Sequence, residues 1–376
     1  MSSRSVAKVE AIAKGGVGCV VTPALQCIGA KQTDSANGKM VSKVFTDKEE
    51  YQKELRISQK LQEKLTAVEN ANDYFIYKTA ECELTPTQLQ RLKSASVIET
   101  CSDLSIEPAV YVLNYPMGGK SIESILKTAT NKYIINNVLL NLEHLFAGVQ
   151  LLNDHLIYHL DLSIGNVLFA DDGKMKIIDF GRCFIAESEG EFTQEKFTEH
   201  YKTTGFPRPK YMAPELFSTI RGGEYMVGLK DFQNVLYKKR GIDMGWVQEC
   251  RKNNASFKDR IAKADVWALG VILYEIRTKL KLSKNESLNN LIDLLTNADV
   301  AKRPDCHRAL KLYQEFVESY RTLQAFPTPS PTPSPTGSPR SVEEEVGGSY
   351  IKRRTNRKKR VTIKKRSTKK RTYKKQ

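Results

Sequence analysis

Two short apolar runs, each tied to acidic or amide residues, limit most tightly what this chain can fold into. The segment YHLDLSIGNVLF (158–169) places Asp161 and Asn166 five apart, just before the apolar VLF. KMKIIDFGR (174–182) then ends an apolar strand on Asp179, 18 residues after Asp161, with Gly181 permitting a tight backbone turn. An Asp and an Asn in a single turn usually do no more than satisfy local backbone groups. Two neighbouring loops carrying oxygen donors can do more. They can converge on a hard cation such as Mg2+, which is held by carboxylate and amide oxygens.

The rest of the body supplies strands first and helices later. GCVVTPAL and KMVSKVF are β-rich runs, separated by a polar stretch that ends in the turn signal Asn37-Gly38. A charged helix follows in TDKEEYQKELRISQKLQEKL, with Thr46 or Asp47 as its N-cap. AVYVLNYPMGG reads as a buried strand that breaks at Pro116 and Gly118-Gly119. Beyond it apolar residues recur at helical spacing in YIINNVLLNLEHLFAGVQLLNDHL, ADVWALGVILYEIRT and SLNNLIDLLT. The pattern predicts an α+β chain, β-rich at the start and mostly helical afterwards, with its folded body over about 8–326.

At Pro327 the composition changes. PTPSPTPSPTGSP reads as an extended linker over 327–340, and 341–376 as a disordered tail that is strongly basic from 351. Residues 351–376 hold 15 Lys or Arg and no acid, so 15 of the 16 net positive charges lie there and the body is nearly neutral. A flexible polycation binds phosphate backbones or acidic surfaces, so nucleic acid or an acidic partner is the expected contact of the tail. It also resembles a nuclear-localisation signal. Thr328, Ser330, Thr332, Ser334 and Ser338 precede prolines, and phosphate there would offset the tail's charge. Seven scattered cysteines without a CxxC pair predict neither zinc nor a disulfide framework, and reduced thiols are the expectation. With no apolar run of membrane length and no signal-peptide core, a soluble intracellular protein without a membrane partner is expected.

The ordered series of short strings in the body resembles the eukaryotic-type protein kinases, from about residue 10 to 325. The resemblance implies a bilobal kinase-like fold, with an N-lobe over 8–113, a hinge over 114–119 and a C-lobe over 120–326. It also implies ATP and Mg2+ (or Mn2+) as cofactors and protein substrates. Asp161 matches the catalytic Asp that accepts the proton of the substrate hydroxyl, and Asn166 and Asp179 match the two metal ligands. His159, Phe180 and Gly181 flank them in the same motifs. YMAPE supplies Glu215, ADVWALG supplies Asp265 and DLLTNADVAKRP supplies Arg303, whose family role is a structural ion pair with Glu215.

In the first half, AKGGVGCVV resembles the glycine-rich loop through Gly15, Gly16, Gly18 and Val20, although Ala13 stands at the first glycine position. Small residues there let backbone N–H groups approach phosphate oxygens. Lys43 in VSKVF matches the phosphate-anchoring lysine, with Lys39 as the alternative. Glu54 is its expected helix partner, with Glu50 as the alternative. LNYPMGG resembles the hinge, placing Leu113 at the back of the adenine pocket and the backbone of Asn114, Tyr115 and Pro116 at the base edge.

Three departures from the family pattern carry expectations of their own. Leu160 replaces the Arg that pairs with a phosphorylated activation segment, which argues against that switch. Ser163 replaces a Lys typical of Ser/Thr kinases. Glu215 and Asp265 lie 50 residues apart, which implies an insertion over about 217–257. The glycine segment followed by VSKVF most resembles kinases of large nucleocytoplasmic DNA viruses. That implies an enzyme acting in host cytoplasm or nucleus, or packaged in the virion; a monomer is expected. Two alternatives stand beside a Ser/Thr kinase. One is a small-molecule phosphotransferase of the aminoglycoside or choline kinase kind. The other is a pseudokinase scaffold with a nucleic-acid-binding tail.

Overall fold

The computed structural model describes residues 9–14, 18–25, 40–84, 90, 92, 97, 101, 110–204, 210–219 and 255–325. Gly15, Gly16, Lys39, residues 220–254 of the insertion, the linker and the basic tail lie outside the described residues. The chain divides into two units, 1–326 and 327–376, and all described residues belong to the first.

Strands β1 (Glu10–Lys14), β2 (Cys19–Thr22), β3 (Met40–Phe45), β4 (Ala80–Glu83) and β5 (Tyr111–Pro116) form one antiparallel sheet in the order β1-β2-β3-β5-β4. Alternation sets its faces. In β3, Lys43 lies opposite Leu113 and Val41 opposite Tyr115, so these four side chains share one face. Ser42 and Asn114 point the other way, where the Ser42 hydroxyl donates to Asn114 Oδ1 at 2.5 Å and accepts from Leu25 N–H at 2.7 Å. Gly18 enters β2 under steric compulsion, since a Cβ there would lie 2.7 Å from the Val44 carbonyl oxygen.

Helix α1 (Lys48–Leu65) packs beneath this sheet. Asp47, rather than Thr46, caps it, accepting from the N–H groups of Glu49 at 2.7 Å and Glu50 at 3.1 Å. Glu49 and Glu50 in the first turn and Lys64 in the last suit the helix dipole. Its buried residues, Glu54, Ser58, Leu61 and Leu65, recur at four and three residues. The stripe that faces the protein is therefore half polar, which becomes intelligible only at the site.

Met117–Gly119 joins the sheet to the second part. Gly119 has φ +89°, and a Cβ there would lie 2.2 Å from the Phe169 carbonyl oxygen, so only glycine passes. There, strands β6 (Lys120–Ser121), β8 (Val167–Phe169) and β9 (Met175–Ile177) form a small sheet, and β7 (Ile157–Tyr158) pairs with β10 (Phe184–Ile185). Helices α2 (Ile122–Thr128), α3 (Glu143–Asp154), α4 (Gln194–Thr204), α5 (Pro214–Thr219), α6 (Phe257–Ala262), α7 (Ala264–Leu280), α8 (Glu286–Leu295) and α9 (Cys306–Ala325) make up the rest. A π-helical stretch, Ile134–Leu139, precedes α3. Twelve of the 17 residues of α7 are buried, so it is the apolar axis of this part, wrapped on nearly all sides as its sequence requires. No helix among the described residues is long and apolar enough to cross a membrane.

One expectation about the cysteines is corrected. Cys19 and Cys101, 82 residues apart with Cα atoms 6.0 Å from each other, are disulfide-paired within the core of the five-stranded sheet. Their spacing gave no sign of this, because only the fold brings β2 against the segment before β5. Cys183 and Cys306 are free and buried.

Candidate active site

The site begins at β3. Lys43 Nζ lies 2.6 Å from Glu54 Oε2 of α1 and 3.3 Å from Asp179 Oδ1, so one ammonium serves two carboxylates from separate elements. Burial works against the charge of Lys43, but Asp179 and Glu54 outweigh it and hold the ammonium well above its ordinary range. Burial also pushes the Glu54 carboxyl above the usual carboxylate range; Lys43 opposes this and Asp179 adds to it. Glu50 instead pairs with Lys53 on its own helix at 2.6 Å. The alternatives left open by the sequence therefore part here. Glu54 reaches the lysine because it lies on the buried stripe of α1.

The loop after β7 carries Asp161 and Asn166. Two features fix its shape. Leu160 takes φ +57°, an unusual conformation for a residue with a branched side chain. The buried carboxylate of Asp265, at the start of α7, holds the strained turn: Oδ2 accepts from His159 N–H at 2.7 Å and Oδ1 from Leu160 N–H at 2.8 Å. Burial raises the carboxyl group of Asp265, while His159 and the two backbone donors favour the charged form. His159 is fully buried, with Nε2 3.0 Å from the Ile178 carbonyl oxygen and its ring 5.1 Å from that of Phe180.

Asn166 ties the two loops together. Its Nδ2 donates to the Asp161 carbonyl at 2.8 Å, and its own carbonyl accepts from Ile178 N–H at 3.0 Å, just before Asp179. With the amide nitrogen spent on Asp161, the amide oxygen is the atom left for a cation. Asp179, at φ +63° and with a side chain 38% exposed, supplies the carboxylate. No group of three or more His, Cys, Asp or Glu suited to a metal occurs among the described residues. One carboxylate and one amide oxygen fit a divalent cation that takes its other ligands from phosphates and water, as Mg2+ does.

Farther out, Glu215 and Arg303 meet as an ion pair with no exposed side-chain surface. Nη1 donates to Oε1 at 2.6 Å and Nη2 to Oε2 at 2.9 Å. Helix α4 lies between the Asp179 loop and α5. Its Phe197 and Tyr201 are buried and stack edge-on, and Phe197 also meets Phe184 and Phe257. The sequence reading did not single out this helix, although Phe197 and Tyr201 at i and i+4 were its signal.

The expected hinge begins within the last strand of the sheet. Asn114 and Tyr115 lie within β5, and the Asn114 carbonyl accepts from Thr79 N–H at 2.7 Å. Tyr115 turns inward and its hydroxyl donates to Glu54 Oε1 at 2.9 Å. The connection falls at Met117–Gly119, because Met40 still pairs with Pro116 and carries the sheet that far. Leu113 is fully buried opposite Lys43. Gly18 and Val20 flank and enter β2, with Val20 opposite Lys43.

An antiparallel sheet carrying a buried Lys–Glu pair, joined to a helical part whose loops present Asp161, Asn166 and Asp179, defines a protein-kinase-like fold. Sequence comparison agrees. The model of the protein kinase domain matches residues 6–227, more than half of the chain. The chain belongs to the protein kinase domain family. It is 26% identical over 153 residues to CBL-interacting protein kinase 25 of Oryza sativa subsp. japonica, covering 41% of this chain and 21% of that protein. Against the serine/threonine-protein kinase HAL5 of Saccharomyces cerevisiae (strain YJM789) it is 37% identical over 90 residues, 24% of this chain and 10% of the relative. With the tyrosine-protein kinase SPK-1 of Girardia tigrina it shares 25% identity over 193 residues, 51% and 29%. The chain therefore spans less than a third of the length of each of these relatives.

Proposed function

We propose that this chain is an ATP-dependent serine/threonine protein kinase. One observation carries the reading: Lys43 is held by Glu54 and Asp179 together, while Asn166 ties the Asp179 strand to Asp161. In this reading Lys43 holds the α and β phosphates of ATP. The carboxylate of Asp161 orients a protein hydroxyl and takes its proton. The hydroxyl oxygen then bonds to the γ-phosphorus as the bond to the β–γ bridging oxygen breaks and ADP leaves. A divalent cation, Mg2+ or Mn2+, would be held by Asp179 and the Asn166 amide oxygen and would neutralise charge on the phosphates. Most of the catalysis is positioning and fixed charge.

Serine and threonine as acceptors rest on relatives such as HAL5 whose names carry that description; another named relative is a tyrosine kinase, and Ser163 departs from the usual Lys. A small-molecule phosphotransferase is disfavoured by the Glu215–Arg303 pair and the Asp265 anchor, which belong to the protein-kinase pattern. The reading includes a viral source on the strength of the glycine segment and VSKVF alone. It also includes a basic tail from 351 that binds nucleic acid or an acidic partner.

The test is incubation with labelled ATP, Mg2+, basic and acidic proteins and a panel of small alcohols, beside Asp161→Asn and Asp179→Ala. Label on protein serine or threonine, lost in both variants, is the expected result. Label confined to small alcohols overturns the protein-kinase assignment, and absence of any transfer leaves a scaffold.

A further inference from the structure

Two polar residues in this site have no role in the scheme above. Ser58 sits on the buried stripe of α1, at a position where an apolar residue would add more to the core, yet it is only 8% exposed. Tyr115, whose backbone was expected near a base, directs its phenol beneath the sheet. The two meet. The Tyr115 hydroxyl donates to Glu54 Oε1 at 2.9 Å, and Ser58, one helical turn further along α1, lies beside the same phenol. A single side chain of β5 therefore reaches the buried stripe of α1, with one hydrogen bond to Glu54 and Ser58 a turn away.

The Glu54 carboxylate is thereby divided. Oε2 takes the Lys43 ammonium at 2.6 Å and Oε1 takes the Tyr115 hydroxyl, so the carboxylate plane is fixed from both sides. Burial first, and Glu54 beside it, keep Tyr115 in its protonated form throughout the working pH range, so the donor is always present. The buried Leu160 supplies no guanidinium to grip an activation segment from the catalytic loop. A hold on α1 from within the sheet supplies that rigidity by another route.

We infer that Tyr115 is a positioning residue: it ties α1 to β5 through Glu54 and aims the Glu54 carboxylate at Lys43, so that the phosphate-anchoring lysine is set without an external activator. This rests on the kinase reading for its consequence, but not for its geometry. The test is Tyr115→Phe, which keeps the ring and its packing and removes only the hydroxyl. Ser58→Ala, Glu54→Gln and the double variant Tyr115→Phe/Glu54→Gln accompany it. Two readouts are taken on the full chain: the affinity for a fluorescent ATP analogue with Mg2+, and phosphate transfer to protein.

Losing a hydrogen bond to a buried charged group predicts a fall in kcat/KM for ATP of about tenfold in Tyr115→Phe, with the melting temperature lowered by only about 2–4 °C. In the Glu54→Gln background the same change has little further effect, because the tyrosine acts through the carboxylate. Wild-type values in Tyr115→Phe, or an equal fall in both backgrounds, overturn the inference and leave the kinase reading standing. Nucleotide binding without transfer by the wild-type chain overturns the kinase reading, and the clamp is then decided on affinity alone. A wild-type chain that binds no nucleotide overturns both.

Discussion

Glu215 and Arg303 give the sharpest stability test in this molecule. Both side chains are fully buried and joined by two charge-assisted hydrogen bonds. Arg303 also donates to the carbonyls of Asn297 and Lys263, each at 3.0 Å, and lies over the Trp267 ring at 5.0 Å. Truncation by Glu215→Ala leaves those neutral contacts in place and removes the only anion seen against the guanidinium among the described residues. An uncompensated buried cation costs about 3–5 kcal/mol. For a folded unit of 326 residues the unfolding entropy is roughly 0.7 kcal/mol per degree, which converts that cost to a fall of about 4–7 °C in melting temperature.

The companion Glu215→Leu/Arg303→Met removes both charges and keeps the volume, so it should recover most of the loss. Thermal melting followed by circular dichroism, checked by urea unfolding, reads the series. A Glu215→Ala protein that melts within a degree of wild type would show that water reaches Arg303, and the argument from burial would fail. A double variant no better than the single one would show that the loss comes from packing rather than from charge.

Other expectations follow from the same contacts. Burial lowers the pKa of His200, against the weaker pull of its bond to the Arg182 carbonyl, so the folded state binds its proton less readily than the unfolded chain. Stability from this group is complete above the unfolded value of 6.5 and declines as pH falls from there toward the folded value. His200→Gln should flatten the decline between neutral and mildly acidic pH in urea titrations, and an unaltered decline would assign it to other groups. Phosphatase treatment should change activity by less than about twofold, because aromatic packing of Phe197 and Tyr201 docks α4 and Leu160 offers a phosphate no partner. A loss of activity restored by rephosphorylation would refute this. Gly270→Ala places a Cβ 2.5 Å from Thr296 Cγ2 and 2.9 Å from Leu295 Cβ, so overpacking should cost about 1–3 kcal/mol by urea unfolding. A neutral effect would mean that α8 can move aside.

The sequence alone determined the order of the elements and the loop residues of the site. Asp161, Asn166 and Asp179 were legible because each sits at the end of a short apolar run, and strand ends deliver side chains to predictable places. The axis helix Ala264–Leu280 was legible because a run so apolar has nowhere to go but inside. Which of two glutamates reaches Lys43 was settled only by the fold. Glu50 and Glu54 share a helical face in sequence terms, and only docking of α1 under the sheet buries one of them. Similarly, nothing local distinguishes a Tyr in a hinge from a Tyr in a strand. Pairing of β5 with β3 as far as Pro116 made that choice and turned Tyr115 toward Glu54. Cys19 with Cys101, and Glu215 with Arg303, also meet only once distant segments pack. Local periodicity is written in neighbouring residues, whereas partners 61 to 88 positions apart are chosen by the packing that brings distant segments into contact.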